Sequence, residues 1–180
     1  MLELSIPPHE MWDEKKQEFI EFKGAELVLE HSLVSISKWE SEFCKPFLSK
    51  NGKTEAELRA YVRCMTINKG VDSWVYKLLT PEQLNKVMEY IDAPMSAVKF
   101  KKDKGGRPSR ETITSELIYY WMIACNIPSA YEKWHLNRLM NLIKICNIKN
   151  TPPKKRSKSE ILSQQAALNA ERRARLHTTG

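Results

Sequence analysis

Four histidines, His9, His31, His135 and His177, are the side chains of this 180-residue chain best suited to acid–base or metal chemistry. Each sits in a different segment, and none has a cysteine or second histidine at metal-ligand spacing. The chain also lacks a GxSxG elbow, a GxxxxGKS or GxxxxGKT phosphate loop, a GxGxxG fingerprint and an HExxH helix. No catalytic residue, cofactor or metal is therefore expected. His31, between Glu30 and Ser32, is placed to cap a helix, and His135 to hydrogen-bond within a helical pair. Cys44, Cys64, Cys125 and Cys146 form no CxxC pair and lie in apolar surroundings, which predicts buried free thiols in a reducing compartment.

Charge is the second chemical signal, and it is uneven. The net charge of +7 comes from residues 99–110 and 150–180, at +5 each, whereas residues 1–98 sum to −4. Such a loop and tail suit phosphates, an acidic protein partner or plain solvation. Within the loop, Gly106-Arg107-Pro108 with Lys101, Lys102, Lys104 and Arg110 is similar to the core of a minor-groove AT-hook, except that Gly105 replaces the usual preceding arginine. A groove-reading helix around residues 130–147 would offer only Lys133, Arg138 and Lys144, with Glu132 at the end that enters. Nucleic acid is the less favoured partner. No run approaches about 18 apolar residues, and acids occupy the N-terminal stretch where a signal peptide needs bases, so neither membrane spanning nor export is expected.

The elements that position these groups follow from periodicity. Leu2, Leu4 and Ile6 alternate with polar residues, Phe19, Ile20 and Phe22 precede Lys23-Gly24, and Leu27 to Leu29 follow, which predicts a sheet of two or three antiparallel strands in residues 1–31. From Ser32, Leu33, Ile36, Trp39 or Glu40 and Phe43 recur at helical spacing until Pro46. Thr54 with Glu57, Thr80 with Gln83, Ser129 with Glu132, and Ser157 with Glu160 match the capping box, predicting helices over 55–67, 81–91, 130–147 and 158–175. A further helix is expected over 111–125. The fold class is α+β and mostly α. Residues 1–150 form one domain, with helices in 32–98, a basic loop in 99–110 and a helical hairpin in 111–150; residues 151–180 form a basic helical arm.

Trp121 and Trp134 fall on the hairpin's apolar faces, as core or as anchors of a partner surface. After Pro152-Pro153 the arm has a thin apolar stripe, Ile161, Leu162 and Leu168, so it frays or orders by docking.

The stretches LEHSLVSISKWES (29–41), YVRCMTI (61–67), TSELIYYWMI (114–123) and KWHLNRLMNLIKICNIKN (133–150), with Pro46-Phe47-Leu48 and Pro94-Met95-Ser96-Ala97, carry a family likeness across nearly the whole chain. It resembles the tail assembly chaperones of tailed bacteriophages, encoded in the tail gene cluster. That resemblance implies a non-catalytic protein that binds the helical tape measure protein in the host cytoplasm before tail-tube subunits polymerise. An aromatic groove from Tyr120, Trp121, Trp134 and Leu139 would hold the client, and Lys154, Lys155, Arg156, Arg172 and Arg173 on the arm would order on binding. Self-association along a long client follows as a corollary. The alternatives are a structural tail or baseplate component retained in the virion and, less favoured, a DNA-binding or packaging accessory.

Overall fold

The computed structural model describes every residue except 14–16, 50–51, 99, 101–110, 153–157 and 177–180. Apart from Phe100, the expected basic loop lies outside the described residues, as do Lys154, Lys155, Arg156 and Ser157 of the expected capping box. The architecture is mostly helical with a small antiparallel N-terminal sheet, and no described helix is long and apolar enough to cross a membrane. Two compact units divide the chain, residues 1–147 and 148–180.

Among the described residues, four strands open the first unit as two separate two-stranded ladders, where one sheet of two or three strands was expected. β1 (Leu2–Ile6) pairs antiparallel with β4 (Ala25–Leu29), and β2 (His9–Asp13) pairs with β3 (Glu18–Phe22). The β1–β4 ladder obeys alternation: Leu4 lies opposite Leu27, and Leu4, Ile6, Leu27 and Leu29 are all buried. β2 reads HEMWD, with adjacent rather than alternating apolar residues, so only its pairing with β3 reveals it. Gly24 turns into β4 with φ +87, and a Cβ there would lie 2.9 Å from the Ile6 carbonyl oxygen.

Helices α1 (Leu33–Phe43), α2 (Glu55–Met65) and α3 (Pro81–Asp92) begin at reciprocal caps. Thr54 Oγ1 accepts from the Glu57 amide at 3.2 Å while Glu57 accepts from the Thr54 amide at 2.8 Å; Thr80 and Gln83 repeat the arrangement behind Pro81. At α1 the partner of Ser32 is Ser35, a shorter side chain doing the same work. Lys45 beside Glu57, with the Thr54 amide, holds that carboxyl down at about 2. Gln83 Nε2 also donates to the Ser5 carbonyl at 2.9 Å, tying α3 to β1.

Two helix starts differ from expectation by a turn or more. Helix α4 spans Ser115–Ala124, starting after its Thr114 cap rather than at Glu111. Ser129 caps nothing: residues Ser129–Lys133 form a 3₁₀ turn, and α5 (Leu136–Asn150) starts only after Trp134 and His135 break it. Two competing bonds explain this. The Glu132 carboxylate is taken by the Tyr119 hydroxyl at 3.0 Å, and the Leu136 amide donates to the His31 carbonyl at 2.7 Å. The cysteines are free thiols, but none is fully buried and Cys44 is exposed, because it sits at the left-handed C-cap of α1 with φ 50. In the second unit, α6 (Lys158–Leu176) is exposed along its described side chains.

Candidate functional site

The core around Leu33, Ile36, Trp39, Tyr61, Ile118, Leu136 and Leu139 gives α4 and α5 their footing, and every one of these is at most 2% exposed. Polar anchors fix the same elements. The buried Glu40 carboxylate accepts from the Phe47 amide through one oxygen and from the Ser115 amide through the other, each at 2.7 Å, joining α1, its following loop and the first turn of α4. At the start of α5, Asn137 Nδ2 donates to the carbonyls of Ile91 and Ala93 at 3.0 and 2.8 Å.

Two histidines from distant segments meet in this seam. The His31 and His135 rings stand edge to face with centroids 5.0 Å apart, both buried. His31 Nδ1 shares a 2.5 Å hydrogen bond with the Tyr61 hydroxyl, and His135 Nε2 lies 3.0 Å from the Tyr90 carbonyl oxygen. Burial, reinforced by His135 and Lys53, drives His31 down to about 3, and burial also lowers His135. The pair is neutral at physiological pH and works as a polar rivet between the N-terminal segment and α5. His31 caps no helix, contrary to expectation, whereas His135 does hydrogen-bond within the hairpin, its Nδ1 accepting from the Asn137 amide at 3.3 Å while its Nε2 reaches α3. Among the described residues, no group of three His, Cys, Asp or Glu is placed to hold a metal ion.

The outward side of α4 is different in kind. Ile118 and Met122 turn inward, while Tyr120 and Ile123, three residues apart and so neighbours on one helical face, are 63% and 75% exposed. The chain leaves α4 through Asn126 at φ 53, with the Ile127 amide returning to the Met122 carbonyl at 2.8 Å. Beyond it, Tyr131 stacks on Trp134 at 4.1 Å with 14° between ring planes, and the Arg138 guanidinium lies 4.0 Å over the Trp134 ring. The Tyr119 hydroxyl that pins this turn to α4 is itself pushed up to about 12, first by burial and then by Glu132.

The groove expected from sequence is thus partly redistributed. Tyr120 is exposed, Trp121 and Trp134 are half-buried, and Leu139 is completely buried, a core residue with no surface to offer a partner. Arg172 and Arg173 are exposed on α6, described apart from the body. Sequence reading missed Ile123, although its distance of three from Tyr120 and five from Ile118 was the available signal. It also treated Arg138 as a groove cation, whereas the arginine is stacked on an indole. No family model matches this chain, and neither a curated protein nor a solved structure matches it.

Proposed function

We propose that the chain is a non-catalytic holder of a helical protein client, acting as a tail assembly chaperone on the tape measure protein of a tailed bacteriophage. The observation that carries this reading is the pair Tyr120 and Ile123, large side chains left in water on a helix that buried hydrogen bonds hold in place. An amphipathic client helix presents an apolar stripe that would otherwise aggregate, and a rigid apolar face with aromatic neighbours is the surface that shields it. The Tyr131–Trp134–Arg138 stack supplies further rigid contact area with a cation at its end. The family likeness supports the identity of the client.

The test is co-expression with the tape measure protein from the same gene cluster. A client kept soluble and co-purifying with this chain is the expected result. A client that stays insoluble while the chain is found in finished particles would overturn the reading in favour of a structural tail component.

A further inference from the structure

We propose that Cys125 and Cys146 are a thiol–disulfide exchange site, closing to an intramolecular disulfide with a small-molecule disulfide such as oxidised glutathione as the electron acceptor. The inward stripe of α4 and its C-cap runs Ile118, Met122, Cys125, and that of α5 runs Leu139, Ile143, Cys146, each stepping by one helical turn. Ile118, Met122, Leu139 and Ile143 are at most 3% exposed and belong to one core, so the two stripes converge and their cysteine ends meet at its edge. There the Cys125 thiol lies in hydrogen-bonding contact with Cys146, and it also donates to Asn147 Oδ1 at 3.4 Å. Both cysteines are only partly buried, which leaves them open to a small oxidant.

The elements on either side hold the sulfurs in place. The Cys125 amide donates to the Trp121 carbonyl at 3.0 Å and the Ile127 amide to the Met122 carbonyl at 2.8 Å, while the Asn137 bonds to Ile91 and Ala93 anchor the start of α5. Thiols already held in contact give up little further freedom when they bond. Burial, and then the neighbouring Cys146, hold the Cys125 thiol above its ordinary range, so the resting form is a dithiol. Exchange needs two displacements. The thiolate of one cysteine attacks a sulfur of oxidised glutathione, forming a mixed disulfide and releasing one glutathione; the thiolate of the other then attacks the protein-side sulfur and releases the second. Both protein protons end on the two released glutathiones, whose disulfide has been reduced. The closed bond ties the end of α4 to α5 across the Tyr131–Trp134 turn, whatever client the α4 face binds.

The test equilibrates the full chain with reduced and oxidised glutathione over a range of ratios, alkylates the remaining thiols and maps the peptides by mass. At the oxidising end the peptides carrying Cys125 and Cys146 are expected to be linked within one chain, the pair lighter by two hydrogens, and at the reducing end both should return as alkylated thiols. Exposed Cys44 reports that the oxidant has reached the protein. The double variant Cys44→Ser with Cys64→Ser should close the same bond, whereas Cys125→Ser or Cys146→Ser should leave the remaining cysteine as a glutathione adduct. Mapping of the wild type decides even if a serine variant does not fold. Cys125 and Cys146 still free at the most oxidising ratio, carrying separate glutathione adducts, or linked between two chains would each overturn the proposal.

Discussion

The seam beneath α4 and α5 and the outer face of α4 lie on opposite sides of one short helix and follow opposite rules. In the seam, Glu40, His31, His135, Tyr61 and Asn137 are buried or half-buried polar groups, each with a partner between 2.5 and 3.0 Å. On the outer face, Tyr120 and Ile123 are apolar surface with water against it. Burying charged and polar groups costs stability unless their bonds are made, and leaving Ile in water forgoes about 2 kcal/mol of burial. The molecule accepts both, one to fix the position of α4 and the other to present its outer side. The comparison separates residues whose loss should unfold the chain from residues whose loss should silence it.

The largest effect is expected at Glu40. Glu40→Ala leaves the Phe47 and Ser115 amides buried without acceptors, a loss of about 4 kcal/mol that urea denaturation would register as a lower midpoint at similar slope. Leu139→Ala follows at about 2–5 kcal/mol from the cavity it opens, again read by denaturation. If Leu139 instead contacted a client, the substitution would weaken co-purification and leave the midpoint alone.

Acid should attack the same seam through His31. Its folded-state pKa, about 3, lies below the unfolded value of 6.5, so the unfolded chain binds the extra proton between the two. The stabilisation is therefore complete above pH 6.5 and drains away as pH falls toward 3, by up to about 1.4 kcal/mol per pH unit for one histidine. His31→Gln should flatten that dependence over pH 6.5 to 4, as denaturation midpoints across the range will show. A smaller change, about 1–2 kcal/mol, is expected for Trp134→Ala, which removes a half-buried ring between Tyr131 and Arg138. Helical circular dichroism should survive it.

Much of the frame was legible because its causes are local. A Thr with an acid or amide three residues on satisfies backbone donors from within one turn, so Thr54 and Thr80 announced α2 and α3 correctly, and Pro81 sharpened the second. The same motif misled at Ser129, where Tyr119 claims the Glu132 carboxylate. The histidine contact joins residues 104 positions apart, and Glu40 bonds a residue 75 positions away. Their sequence neighbourhoods carry no trace of those partners, since the pairing exists only after α1, α4 and α5 have packed. Of the candidate site, Tyr120 was readable as an aromatic on a helix, but which side of α4 faced out depended on Ile118 and Met122 filling the core.

The smallest expected change in stability belongs to the outer face, and it carries the central claim. Tyr120→Ala with Ile123→Ser should alter stability by no more than about 0.5 kcal/mol, because both side chains are largely in water. Co-purification of the tape measure protein with this double variant, set against the wild type at matched melting temperature, is the decisive measurement. Loss of the client from a chain that remains folded is the result expected of a docking face on α4; client retained at the wild-type level would contradict it.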